Sequence, residues 1–188
     1  MLIEGSDPRT QPSFSLGNRL MRMLWQVTWI LAFRSSPRPL HRWRAFLLRC
    51  FGARIGRDVH VYPSVRIWAP WLLTCEERVG IGDRAIIYNM GAIVIEREAV
   101  ISQGAHLCAG THDIDSPTFQ LRTGTIRIGS SAWICAEAFI GPDVHIAAGC
   151  VIGARSCVVK SINEPWTVWA GSPPKRLRQR KRQARDAP

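Results

Sequence analysis

The sequence predicts an all-β solenoid: a three-sided parallel coil with helices before it and a basic tail after it. Three observations carry this reading: a six-residue aliphatic repeat, its failure at both ends, and a charge distribution that separates the ends from the middle. From Ile128 the chain runs IGSSAW, ICAEAF, IGPDVH, IAAGCV, IGARSC, VVKSIN. Every first position is Ile or Val, and most second positions are Gly, Ala or Cys. The fifth positions, Ala132, Ala138, Val144, Cys150, Ser156 and Ile162, are mostly small. Upstream the rule recurs with slips, as IGRDVH and VYPSVR from Ile55, IGDRAI from Ile81, and IEREAV, ISQGAH and LCAGTH from Ile95. A helix repeats near 3.6 residues and a strand at 2, and neither explains aliphatics at strict sixes. Three six-residue sides close a triangular coil with the first position of each side pointing inward. Gly, Asp and Asn supply the corners. With coils stacked at about 4.8 Å, about five of them between Ile55 and Asn163 make a prism roughly 24 Å long.

This divides the chain into a helical, amphipathic segment over 1–54, the β-helix over 55–174 and a basic tail over 175–188. In the first segment Leu16, Leu20, Met23, Leu24, Val27, Ile30 and Leu31 follow helical spacing, with Ser15 placed to cap the N-terminus. After the SSPRP break a second helix carries Trp43, Phe46, Leu47 and Cys50 on one side. Its other side carries His41, Arg42, Arg44 and Arg49, and Gly52 can close it. Trp25, Trp29 and Trp43 beside many arginines suit a helix pair lying in a membrane interface. The alternatives are that these helices cap the open end of the solenoid and protect its edge, or that they do both. Within the β-helix the sixes fail over 113–125, DIDSPTFQLRTGT, where Pro117 blocks strand pairing. A loop thrown from a rigid solenoid is a natural place for function.

At 188 residues with 46% hydrophobic and 21% charged residues, the chain can bury a core, which excludes global disorder. No run of 18 apolar residues occurs, so a spanning helix is not expected. The start lacks a basic n-region followed by an apolar stretch, which leaves a cytoplasmic location as the expectation. Cys50, Cys75, Cys108, Cys135, Cys150 and Cys157 include no C-x-x-C pair, so reduced thiols are expected. The net charge of +11 belongs to the ends. Pro8 to Arg57 holds ten Arg and no acid, and Lys175 to Arg185 holds seven basic residues and no acid. Asp58 to Pro174 holds eight basic and eleven acidic residues, a balance of −3. No nucleic-acid-binding signature accompanies the charge, and basic ends on a near-neutral body fit an anionic membrane surface.

Of five histidines, His41 is expected on a helix surface, and His60 and His145 close ordinary sixes. His106 and His112 lie six apart, on adjacent sides of the triangle, and do not converge on a metal within one chain. No metal is expected. His112 ends a coil and opens the interrupting loop.

The stretch SQGAHLCAGTHDIDSPTF resembles the hexapeptide-repeat O-acetyltransferases, and most closely the colanic-acid biosynthesis acetyltransferase group. The likeness extends through RPLHRWRAFLLRCFGARIG, VYPSVRIWAPW, IYNMG, AWICAEAFIGPDVHI and VWAGSPPKRLR, from about Arg19 to Arg178. It implies a left-handed coil, contrary to the usual right-handed crossover. It implies His112 as general base on an acceptor hydroxyl, with Asp113, Asp115 or a backbone carbonyl orienting the ring, and Asn89 as an acceptor-binding residue. An ordinary corner residue is the other reading of Asn89. It implies acetyl-CoA as co-substrate, near Trp133, Ala136, Ala154, Val159, Lys160 and Lys175, in a homotrimer whose sites lie between subunits. Ala136 and Val159 stand where hydroxyl residues are frequent in the family. The acceptor implied is a saccharide unit of exopolysaccharide, carried on a lipid. The alternatives are an acyltransferase for serine or an antibiotic, a scaffold, or a γ-carbonic-anhydrase-like protein. An imidazole of ordinary pKa near 6.5 can take the proton of a sugar hydroxyl as attack proceeds, with no covalent enzyme intermediate.

Overall fold

The computed structural model describes residues 12–181. Ser15 accepts a hydrogen bond from the Asn18 amide at 3.4 Å and opens helix α1, Leu16–Thr28, which runs on as a π-helical turn over Trp29–Phe33. Helix α2, His41–Cys50, ends at Gly52, whose φ of +84° is the left-handed closure expected there.

The rest is a parallel β-solenoid with three faces. The first face stacks Arg54–Ile55, Leu73–Cys75, Ile93–Ile95, Ile126–Ile128 and His145–Ile146. The second stacks His60–Val61, Gly80–Ile81, Val100–Ile101, Trp133–Ile134, Val151–Ile152 and Thr167–Gly171. The third stacks Arg66–Ile67, Ile86–Tyr88, His106–Cys108, Phe139–Ile140 and Cys157–Val158. Five coils are complete, and Thr167–Gly171 with the Ile146–Ile162 bridge opens a sixth, because pairing continues after the sequence repeat lapses.

The repeat works as its residues require. Ile128, Ile134, Ile140, Ile146, Ile152 and Val158 are fully enclosed in the prism, and so are the small residues four places after each of the first five. Small side chains at the fifth position let the corner turn inward without displacing the aliphatics. Each corner turns through a left-handed residue: Ser131, Glu137, Asp143, Gly149 and Arg155 have φ of +56° to +68° and lie six apart. Only one of the five is glycine, so stacked pairing outweighs the roughly 1–2 kcal/mol that conformation costs an L-residue. Gly129 is held for a different reason: a Cβ there would fall 2.6 Å from the Ala148 nitrogen of the next coil.

The first coil has no coil beneath it, and the N-terminal helices satisfy its open carbonyls. The indole N–H of Trp25 donates to Ile67 O at 2.7 Å and that of Trp29 to Val65 O at 2.8 Å. Arg44 donates to Val61 O, Ser36 Oγ and Pro37 O, and Arg49 to Ile55 O and Gly56 O. The cap reading therefore describes the helices, and three expectations are corrected. Trp25 and Trp29 are buried against the solenoid and cannot be the membrane-facing aromatics. Arg44 is fully buried, because its fork reaches the carbonyls of Val61, Pro37 and Arg38 and the Ser36 hydroxyl. His41 stacks on His60 with ring centroids 4.6 Å apart and is not a free surface residue.

Two further boundaries differ. The interruption of the repeat is an arm: Gly110–His112 pairs antiparallel with Leu121–Thr123, and Pro117 sits in the turn beyond the strands. The start of the basic tail is also a strand. Pro174–Gln179 pairs antiparallel with Thr167–Gly171, Arg176 pairs with Glu164, and Arg180 donates to Ser131 O and Gly149 O. The tail after Lys181 lies outside the described residues.

Candidate functional site

The arm carries His112 out of the prism. Its root is fixed by the solenoid, since the Ala109 amide donates to Tyr88 O at 3.0 Å and the Gly124 amide to Ala109 O at 2.9 Å. His112 pairs with Leu121 across the arm, and its imidazole is exposed. Nδ1 lies 2.7 Å from the carbonyl oxygen of Phe119. A carbonyl can only accept, so Nδ1 carries the proton and the Nε2 lone pair faces outward as a base. Phe119 has φ of +50°, a left-handed conformation that turns its carbonyl back across the arm.

The carboxylates do not share this task. Asp113 Oδ1 accepts from the Asp115 amide at 3.1 Å and the Asp113 amide donates to Gln120 O at 2.8 Å, a local turn that shapes the tip. Of the orienting groups left open, Asp113, Asp115 or a backbone carbonyl, it is the Phe119 carbonyl that meets Nδ1.

Asn89 departs from its implied role. It is fully buried, its Oδ1 accepts from the Ala69 amide at 3.0 Å, and its Nδ2 donates to Ala69 O. Both amide functions clamp one coil to the next. Of its two readings, acceptor-binding residue or corner residue, these contacts are those of the corner residue.

The residues associated with acetyl-CoA fall on two edges of the prism. Ala136 and Ala154 stack one coil apart at the corner between the second and third faces, where the Arg155 amide donates to Ala136 O. Lys175 pairs with Ala170 on the hairpin that extends the second face, and Gly153 packs against Ala170 beside that corner. Trp133 is on the second face, half-exposed, its indole N–H donating to Ser102 Oγ at 2.8 Å. Val159 and Lys160 follow the last strand of the third face and lie at its other edge, both exposed. A single chain does not bring the two sets together.

The third face also carries aromatic groups that the six-residue repeat does not mark. Phe14, Trp68, Tyr88, His106 and Phe139 form a continuous ladder with successive centroids 5.0–6.3 Å apart. Successive coils bring them together, 18 residues apart from Tyr88 to His106 but 20 from Trp68 to Tyr88 and 33 from His106 to Phe139, so no fixed sequence spacing marks them. Burial holds the His106 imidazole below its usual range and raises the Tyr88 phenol. Among the described residues no three of His, Cys, Asp and Glu gather as metal ligands, and no helix is long and apolar enough to cross a membrane.

No family profile matches the chain. It is 42% identical over 167 residues to the colanic acid biosynthesis acetyltransferase WcaF of Escherichia coli strain K12, covering 89% of this chain and 91% of that protein. The fold is that of a maltose O-acetyltransferase from Clostridium difficile 630, with a TM-score of 0.81 at 20% identity over 89% of this chain and 90% of the other. It is also that of a galactoside acetyltransferase solved with coenzyme A, with a TM-score of 0.75 at 22% identity over 88% and 84% of the two chains. With a relative this similar over nearly its whole length, the chain belongs to the colanic-acid biosynthesis acetyltransferase family of hexapeptide-repeat proteins.

Proposed function

We propose that the protein transfers the acetyl group of acetyl-CoA to a hydroxyl of a saccharide in exopolysaccharide assembly. The observation that carries this is the His112 imidazole, held by the Phe119 carbonyl with Nε2 free on an exposed arm. Nε2 takes the proton of the acceptor hydroxyl as its oxygen bonds to the acetyl carbon. The carbon–sulfur bond breaks, and the imidazolium returns the proton to the leaving sulfur. Acceptor and thioester need only be held together, since alignment in one complex replaces a covalent enzyme intermediate. The name of the WcaF relative supports a saccharide acceptor.

Acetyl-CoA fits the prism as a molecule running along its axis. Trp133 offers an exposed indole, and Lys160 and Lys175 form no ion pair among the described residues and offer point charges for phosphates. Ala136 and Ala154 on one edge, Val159 and Lys160 on the other, form one groove when a second copy faces the first. We therefore assign a homotrimer with sites between subunits. Sedimentation equilibrium should give about three times 21.1 kDa, and an active monomer would contradict it.

The N-terminal helices supply a membrane surface by their outer face. Leu16, Leu20, Met23, Leu24, Val27, Ile30 and Leu31 point away from the solenoid, with Leu16 and Leu31 exposed at 72% and 71%. Such an unpartnered apolar stripe marks an interaction site. Ten arginines and no acid between Pro8 and Arg57 give an identical copy of this face nothing complementary, whereas anionic lipid supplies both charge and apolar depth. The function is tested by following thiol release from acetyl-CoA with saccharides, serine and antibiotics as acceptors. Acetylation of a saccharide hydroxyl supports it; transfer confined to serine or an antibiotic overturns it.

A further inference from the structure

Between α1 and the third face, near the capped end of the prism, two cavities of about 250 and 360 Å³ adjoin, sharing Trp29, Arg66 and Ile86 in their walls. One end is aromatic, lined by Trp68 and Tyr88. The other is cationic, lined by Arg34, Arg66 and Arg84. Arg34 and Arg66 bring their guanidinium carbons to 5.4 and 5.7 Å from the centre of the same Trp29 ring. Arg84 is fixed beside them by its left-handed backbone (φ +58°) and by its amide donating to Ser64 Oγ at 2.8 Å.

Among the described residues none of these three arginines forms an ion pair. The nearby acid is Asp83, and it is already engaged: Oδ2 pairs with Arg38 at 2.5 Å and Oδ1 accepts from Ser64 Oγ at 2.7 Å. Three cations around one cavity without a counter-charge repel one another, and a multivalent anion removes that repulsion. Guanidinium forks match phosphate oxygens in pairs, which a single point charge cannot do.

The position of this groove relates it to the site already described. Trp68 follows directly on the strand that carries Arg66, two residues on, and Ile86 and Tyr88 are two apart on the next strand, so the cationic and aromatic ends are about 6.6 Å apart. Tyr88 in turn accepts from the Ala109 amide at the root of the arm, three residues before His112. The groove thus runs from the arginines to the aromatics, and through the Tyr88 carbonyl its aromatic end is tied to the base of the arm that holds the general base. It lies on the first two coils, whereas Lys160 and Lys175 lie on the last.

We propose that Arg34, Arg66 and Arg84 bind a phosphate or diphosphate group carried by the saccharide acceptor, whose ring lies over Trp68 and Tyr88 toward His112. This rests on the saccharide reading of the acceptor and adds to it a chemical requirement: the substrate is a phosphorylated sugar unit and not a finished neutral polymer. The class of reaction that supplies it is therefore one that builds glycosyl phosphates.

The test compares the wild-type protein with an Arg34→Gln/Arg66→Gln/Arg84→Gln variant. Calorimetric titration with inorganic pyrophosphate reads the groove without any turnover, and the variant should bind at least tenfold more weakly. Steady-state kinetics then use one saccharide in three forms: free, as a prenyl diphosphate and as a nucleoside diphosphate. The KM for a diphosphate form should rise at least tenfold in the variant, with kcat and the KM for acetyl-CoA unchanged. The form that shows this rise identifies the source of the phosphate. Equal pyrophosphate binding by both proteins overturns the proposal, as does an equal rise in KM for the free saccharide. If no saccharide is acetylated by the wild type, the acetyltransferase reading fails, while pyrophosphate binding still decides the groove.

Discussion

The indole N–H of Trp29 lies 2.8 Å from the carbonyl oxygen of Val65, and it closes the solenoid where no earlier coil exists to do so. Trp25 repeats the device at Ile67, one turn along α1. Trp29→Phe keeps most of the packing but leaves the Val65 carbonyl without its donor in a buried setting. The variant should lose about 1–3 kcal/mol of stability, read as a lower midpoint in chemical denaturation. An unchanged midpoint would show that the carbonyl finds water instead.

The carboxylates of the arm shape its tip and do not orient the base. Asp115→Asn retains the amide that donates to Asp113 Oδ1, so transfer should stay within a few-fold of the wild type. Loss approaching that of a missing base would return the orienting role to the carboxylates.

His106 sits edge-on to Tyr88 and Phe139, with an Nε2 that has no hydrogen-bond partner among the described residues. Burial depresses its pKa, and burial does the same at His41. The unfolded chain therefore takes up protons first as pH falls below about 6.5. Stability is full above that value and declines as acid is added, until the folded pKa is passed. Melting curves across this range should show the decline, and His106→Phe should lessen it. A variant that follows the wild type at every pH would place the titration elsewhere.

Flotation with vesicles tests the outer face of α1. The protein should bind anionic vesicles and not neutral ones, since each basic residue near such a surface contributes about 1 kcal/mol. Salt should weaken binding as the Debye length shortens. Leu20→Gln with Leu24→Gln should reduce it further without unfolding the protein, because both side chains point to solvent. Binding indifferent to lipid charge would contradict the surface, and so would binding lost only on digesting nucleic acid.

The prism was legible in the sequence because its rule is local: Ile128 to Val158 alternate inward aliphatic and small corner residues at a fixed six, and each lies where that rule puts it. The helices were legible as helices but not in orientation. α1 carries two apolar stripes, and hydrophobicity alone favours the leucines. What decides is the hydrogen-bonding need of the open coil, which Trp25 and Trp29 meet and leucine cannot. Arg44 was not legible as buried, and Asn89 was legible only as one of two readings, for the same reason: a polar side chain consumed by backbone groups reads as a surface or site residue until those groups are located. His112 stood out because it breaks the repeat, whereas its partner depended on how the arm folds back, which no spacing encodes.

The most direct measurement is the turnover of His112→Ala with acetyl-CoA and a saturating saccharide acceptor, alongside its melting curve. The side chain is exposed, so the melting temperature should match the wild type. Loss of a general base should lower kcat by about 10²–10⁴-fold. A folded variant that keeps more than a tenth of the wild-type kcat would contradict the assignment of His112 as the base.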